Sequence, residues 1–482
     1  MRVPPYIENI LSSLEANGFE GYVVGGCVRD LLLGKRPKDW DVTTDARPEE
    51  ILKVFPEGKY ENIFGTVIVP IKDDEGRTED VVEVTTYRSE QGYSDRRHPD
   101  EIRFEDELEK DLSRRDFTIN AMAMDLGGVK KGEAVDLFGG RKDLEKRIIR
   151  AVGEPTDRFK EDALRMMRAI RFACQLGFEI EPKTGRAIAK LAGGIKFIAK
   201  ERIRDELVKI LESETPYEGV IKLHELKLLQ YIIPELERGI GVEQSKHHVY
   251  TVFRHSVLSL KFCPSKDWRV RFAALLHDIA KPQTKRLIGG DMTFYNHDLL
   301  GAKIARKIME RLKFSKTDLE KVEVLIKNHM FYYNVGEVTE SSVRRLIVKV
   351  GEENLKDLID LRIADRLGSG VPKAKPYKLR HLEYMMKKVR KDAVSVKMLK
   401  IDGNDLMRTL KIAPGPKIGA ILDVLLSEVI EDQNLNDEKY LLGRGRELEK
   451  MDLEELRAKA KERIEEKKME DDQELKKEFW VK

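Results

Sequence analysis

Hydrophobic positions change their spacing partway along this chain, and the change divides it. Residues 5–18 carry apolar side chains at helical intervals and end on Gly18, which predicts a short amphipathic helix. Short apolar runs follow at 21–24, 40–43, 65–71 and 81–86. They are rich in Val, Ile and Thr and bounded by Gly or Asp, the pattern of strands. A compact head of strands and helices reaching to about residue 145 is expected. From Asp157 onward the strand signals stop. The runs EDALRMMRAIRFACQLGF, TGRAIAKLAGGI and ERIRDELVKILES repeat apolar residues every three or four positions, which predicts helices. Pro216 and Pro234 punctuate further helices that continue to about Gly370. The stretch 369–376 (SGVPKAKP) reads as a linker. More helices follow, with a turn at Pro414-Gly415-Pro416, and the part beyond about Glu447 reads as a solvated helix or a frayed tail.

Composition narrows the picture. A chain of 482 residues is too long for one core, and roughly three or four domains are expected. Lys and Arg number 89 against 86 for Asp and Glu, so a nucleic-acid surface has to come from local asymmetry. Cys27, Cys174 and Cys263 are far apart and odd in number, which fits a reduced, cytoplasmic setting. No stretch approaches the ~20 apolar residues of a membrane span, so no membrane partner is expected.

The candidate chemistry begins at Gly25-Gly26-Cys27-Val28-Arg29-Asp30. Two glycines let a backbone approach phosphates, and their turn offers N–H groups to anionic oxygens. Nine residues later comes Asp39-Trp40-Asp41. If extended, this segment puts both carboxylates on one strand face, side by side, as Mg²⁺ shared with phosphates requires. Glu83 interrupts the apolar run Val81-Val82-Glu83-Val84 and supplies a third acid if the two strands are neighbours. Three carboxylates around divalent ions suit activation of a hydroxyl and stabilisation of departing pyrophosphate.

With GGCVRD, the Asp-x-Asp pair and VEVTTYR come RRDFTINA (114–121), DLFGG (136–140), EDALR (161–165) and ERIRDELVKIL (201–211). Together these motifs resemble a bacterial-type tRNA nucleotidyltransferase, the CCA-adding enzyme family of the DNA polymerase beta-like superfamily. The resemblance implies an α+β head with a mixed sheet, followed by an all-α neck, HD-type body and tail. It implies catalytic metal-binding acids at Asp39 and Asp41, with Glu83 as the third. Gly25, Gly26 and Arg29 match the triphosphate-binding turn. Arg114, Arg115, Asp116 and Asn120 match the motif that contacts the sugar and phosphates. Asp162 and Arg165 match the pair that reads the incoming base. Residues i and i+3 on a helix project together, and an acceptor beside a donor complements the mixed edge of cytosine or adenine. Arg165, Arg168 and Arg171 add a basic stripe suited to phosphates. The loop 90–101 resembles the flexible loop that CCA-adding and A-adding relatives use when switching to ATP. Expected substrates are CTP, ATP and the acceptor and TΨC arms of tRNA.

A second pattern lies at His255, His277-Asp278 and Asp365. It resembles the HD phosphohydrolase signature, in which two histidines and two aspartates bind a divalent metal, and His297 and His329 are further candidate ligands. Such a donor set suits Mn, Ni, Fe or Zn, and a metal there would support phosphoester hydrolysis. The expected domains are a head (1–145), a neck (146–215), an HD-type body (216–370), a tRNA-binding tail (371–446) and a charged C-terminal segment (447–482). Alternatives of the same chemistry are an A-adding or CC-adding enzyme or a poly(A) polymerase. The segment 62–71 lacks the longer basic signature of the polymerase. Alternatives of another class are an HD phosphohydrolase whose head only binds RNA, and a non-catalytic RNA-binding protein.

Overall fold

The computed structural model describes residues 3–62, 65–73, 75–92, 101–126, 132–244, 249–289, 291–391 and 399–481. It divides into two compact units. The first comprises Met1–Lys327 with Ala364–Val371, and the second Asn328–Ile363 with Pro372–Lys482.

In the first unit the β-branched runs become strands β1 (Gly21–Val24), β2 (Asp41–Thr44), β3 (Lys59–Asn62), β4 (Thr66–Lys72) and β5 (Thr78–Thr86). A small pair, β6 (Arg88–Gln91) and β7 (Glu101–Phe104), follows, then β8 (Met122–Met124) and β9 (Ala134–Asp136). The head sheet has seven strands in the order β3-β4-β5-β2-β1-β8-β9. It is mixed: β2 runs parallel to β5 and antiparallel to β1. Strand β3 was not expected, because Lys-Tyr-Glu-Asn has no apolar alternation, and its place at the sheet edge removes the need for one. The helix read over 5–18 forms as Pro5–Ala16, with Ile7, Ile10, Leu11 and Leu14 buried.

After the head the unit is largely helical. The helix Leu164–Leu176 packs against the helix Lys200–Glu212, which buries Ile203, Leu207, Ile210 and Leu211. Strand structure does not end at Asp157 altogether. Ile148–Ile149 pairs with Glu179–Ile180, and Arg286–Ile288 forms a hairpin with Asp291–Thr293, turning at Gly289 with φ +59°. These segments are too short to show a period of two.

The second unit is helical, with a core built from Leu406, Ile421, Val424, Leu425, Leu441 and Leu456. Its last helix, Leu453–Phe479, starts on a capping box between Asp452 and Glu455. Leu475 and Val481 of that segment pack with Tyr384, whose hydroxyl donates to Asp472. The charged C-terminal stretch is therefore helical and docked at its ends. The three cysteines are buried and unbridged. Among the described residues no helix is long and apolar enough to cross a membrane.

Candidate active site

Strand β2 and the turn after β1 meet at a cavity of about 520 Å³, within the usual range for small-molecule sites. Gly25 has φ +82°, a conformation that side chains oppose, and a Cβ there would stand 3.0 Å from Arg115 Nη1. Asp39 and Asp41 both line the cavity, but the strand begins at Asp41, so Asp39 lies on the bend leading into it. On the adjoining strand Glu83 is the register partner of Asp41. It stands beside Asp41 on the sheet and is not among the lining residues. Burial raises the Asp41 carboxyl above its usual range, Arg115 opposes that, and Asp39 adds to it. Glu83 is raised by burial and by Asp41, Glu61 and Asp39. Carboxylates that raise one another form a donor set that a hard divalent cation satisfies.

The RRDFTINA segment closes the side of the cavity. Arg114 and Arg115 are held by Asp111, which is fully buried on the helix Leu108–Ser113. Burial alone would raise that acid, but the two guanidinium groups bring it below its usual value. A chain of bonds then crosses the site. Arg29 donates to Asn120 Oδ1 at 2.8 Å, Asn120 donates to Asp116 Oδ1 at 3.2 Å, and Arg168 Nε donates to Asp116 Oδ2 at 2.7 Å. Burial works against the Asp116 charge, yet Arg168 and Arg165 hold its carboxyl below the ordinary range. The DLFGG segment is architectural. Asp136 accepts from the N–H groups of Gly140 and Arg141, and a Cβ on Gly140 would fall 2.3 Å from the Thr118 carbonyl.

The helical wall carries the rest. Asp162 and Arg165 do not share one helix. Asp162 sits at the break between Pro155–Glu161 and Leu164–Leu176, where its Oδ1 accepts the Leu164 N–H at 2.9 Å. That local bond competes with helix continuation, and both residues still line the cavity. Each arginine of the expected stripe is ion-paired: Arg165 with Glu161, Arg168 with Asp116, Arg171 with Glu206. Sequence reasoning missed three features. Phe172 lies beneath Arg29, Arg168 and Arg171, with guanidinium carbons 5.4, 5.4 and 4.2 Å from its ring centroid. Asp111 precedes Arg114 and Arg115 at helical spacing, a signal that was available. Arg202 joins Asp162 across 40 positions of sequence. The 93–100 part of the expected flexible loop lies outside the described residues.

The second cluster is compact. His255 comes from the helix Val252–Lys261, His277 and Asp278 follow directly on Trp268–Leu276, and Asp365 lies on Leu355–Gly368. His255 Nε2 is 3.1 Å from His277 Nε2, 3.1 Å from Asp278 Oδ2 and 3.4 Å from Asp365 Oδ1. His277 Nε2 is 3.3 Å from Asp278 and 3.7 Å from Asp365. His277 Nδ1 donates to the Ala274 carbonyl at 2.9 Å, which turns Nε2 toward the acids. Burial lowers the His277 pKa, but Asp278 and Asp365 outweigh it and push it up to about 10. Each imidazole contacts both carboxylates, and His255, His277 and Asp365 bring one ligand atom apiece close enough together to hold one divalent ion. His297 Nε2 reaches the other Asp278 oxygen at 3.3 Å. His329 is buried in the segment where the second unit begins.

The chain is similar to known proteins along most of its length. Residues 21–150 match the profile of the Poly A polymerase head domain, 177–240 that of the probable RNA and SrmB-binding site of polymerase A, and 247–369 the HD domain. The CCA-adding enzyme of Enterococcus faecalis is 33% identical over 444 residues, covering 90% of this chain and 93% of that protein. The A-adding tRNA nucleotidyltransferase of Deinococcus radiodurans is 33% identical over 419 residues, covering 84% and 90%. The crystal structure of the Bacillus stearothermophilus CCA-adding enzyme in complex with CTP superimposes with a TM-score of 0.60 at 26% identity, covering 93% of this chain and all of that one. With this head, this helical neck and this level of identity along its length, the chain belongs to the CCA-adding enzyme family of tRNA nucleotidyltransferases.

Proposed function

We propose that this chain adds or repairs the 3′-terminal CCA of tRNA from CTP and ATP without a nucleic-acid template. The observation that carries the reading is one cavity bordered by both acids of the Asp-x-Asp pair, the glycine turn, and the Asp162–Arg165 pair. Asp39 and Asp41 would hold Mg²⁺, with Glu83 as the neighbouring third acid. Such an ion would supply charge stabilisation for attack of the tRNA 3′ hydroxyl on the α-phosphorus and for release of pyrophosphate.

The side chains have separate tasks. The 25–26 turn and Arg29 receive the triphosphate. Arg114 and Arg115, held by Asp111, and Asn120, held by Asp116, meet the phosphates and sugar. Asp162 accepts from the base amino group, and Arg165 donates to the ring nitrogen beside it. Seven arginines against four aspartates line the cavity, an excess that suits a polyanionic nucleotide and an RNA end. The match of the relatives along nearly the whole chain supports tRNA as the acceptor. The CTP in the Bacillus stearothermophilus structure supports the nucleotide assignment.

The test is extension of tRNA lacking CCA, read at single-nucleotide resolution. CTP alone is expected to add two residues, ATP alone none, and both together three. Addition of a single A, and only to tRNA already ending in CC, would establish the A-adding reading instead. Carboxylate and imidazole packing at His255, His277, Asp278 and Asp365 favours a second activity, metal-dependent phosphoester hydrolysis with Mn, Ni, Fe or Zn. Release of phosphate from a 2′-nucleotide, or ring opening of a 2′,3′-cyclic nucleotide to the monophosphate, abolished by chelation and restored by one of those metals, tests it.

A further inference from the structure

We propose that Arg202 is a positioning residue that fixes the orientation of Asp162 and thereby determines which bases the site accepts, an inference that rests on the function read above. Arg202 is the third residue of the helix Lys200–Glu212. Its Nη2 donates to Asp162 Oδ2 at 2.7 Å, and its Nη1 lies 3.4 Å from Oδ1. The same Oδ1 accepts the Leu164 N–H at 2.9 Å. The carboxylate is thus tied by a helix start on one oxygen and by a guanidinium fork across both. Each carboxylate oxygen has two acceptor sites, so Oδ2 keeps one for a ligand while Arg202 is bound. Arg165 is oriented in the same manner, because its Nη1 donates to Glu161 Oε2 at 2.8 Å.

The consequence is an ordered pair, acceptor then donor, along one edge of the cavity. Cytosine and adenine present an amino donor beside a ring-nitrogen acceptor and match that order. Uracil and guanine present a carbonyl acceptor beside an N–H donor and oppose it. A carboxylate able to turn would blur this distinction. The Arg202–Asp162 pair is part-exposed, with side chains 28% and 14% accessible, and pairs of that kind add little stability. The two helices are held together elsewhere, by Arg171 on Glu206 at 3.1 Å and by the buried face of Ile203, Leu207 and Ile210. Geometry at the base, rather than packing, is what Arg202 contributes. A lysine keeps the charge but loses the second arm.

The experiment compares kcat/KM for CTP, UTP, ATP and GTP on tRNA lacking its terminal nucleotides, in wild type, Arg202→Ala and Arg202→Lys. Use of UTP relative to CTP, and of GTP relative to ATP, should rise roughly tenfold in the alanine variant, with the lysine variant between it and wild type. An equal fall for all four nucleotides, or unchanged ratios, overturns the proposal, since a merely structural arginine would act on every substrate alike. If the alanine protein does not fold, the lysine variant decides by the same ratios. A wild-type chain that incorporates neither CMP nor AMP overturns the function itself. A variant as selective as an active wild type overturns only the role of Arg202.

Discussion

The head cavity and the histidine–aspartate cluster each gather acidic side chains, yet they arrange them in opposite ways. In the head, Asp39 and Asp41 line a cavity that also carries an excess of arginine. In the cluster, the two imidazoles lie 3.1 Å apart and within 3.1–3.7 Å of both carboxylates, and His255, His277 and Asp278 are buried. The first arrangement leaves room for an ion that arrives with phosphates. The second gathers protein donors closely enough to surround an ion. A chain whose net charge is only +3 thus gathers a surplus of three positive charges around one cavity.

The largest expected effects separate these regions. Replacing Asp39 or Asp41 by Ala should lower nucleotide incorporation by at least about a thousandfold, while circular dichroism and hydrolysis at the second cluster stay unchanged. Wild-type incorporation by either variant would remove the head from the mechanism. His277→Ala should do the reverse. Bound transition metal measured by plasma spectrometry is lost together with hydrolysis, and CCA addition continues.

A smaller effect concerns the support of the head arginines. Asp111 carries a depressed pKa because Arg114 and Arg115 outweigh its burial. Its contribution to stability is therefore complete above the unfolded value near ~3.9 and lost as pH falls through the lower folded value. Asp111→Asn should destabilise by about 3 kcal/mol at neutral pH, and the gap from wild type should narrow below about pH 4. A gap in urea-melt stability that stays constant with pH would contradict that source. Smaller still, Gly25→Ala imposes a side chain at φ +82° and ψ −127° and should cost about 1–3 kcal/mol, appearing as a raised KM for both CTP and ATP.

The same contrast explains what could be read from sequence. Asp41 and Glu83 were legible because each interrupts or opens a β-branched run, and the parallel register then made them neighbours. His277 and Asp278 were legible because polar residues at the end of the apolar helix Trp268–Leu276 have no packing reason to be there. Arg202 was not. It lies on a charged helix where one arginine looks like another, and only the close packing of that helix against Leu164–Leu176 singles it out. The break at Asp162 is hidden in the sequence for a related reason. Helical periodicity runs through it, and a side-chain bond to the Leu164 N–H ends one helix and starts the next. Pairings remote in sequence, such as Asn120 with Arg29, leave no local trace.

Asp39 and Asp41 in the head cavity, and not the buried histidine cluster, are expected to hold the ion that accompanies the nucleotide. A crystal structure with a non-hydrolysable CTP analogue and Mn²⁺, read by anomalous scattering, decides between the two sites. A manganese peak is expected between Asp39 and Asp41, with the triphosphate over the 25–26 turn and the cytosine against Asp162 and Arg165. Manganese confined to His255, His277, Asp278 and Asp365, with the analogue absent from the head, would contradict it.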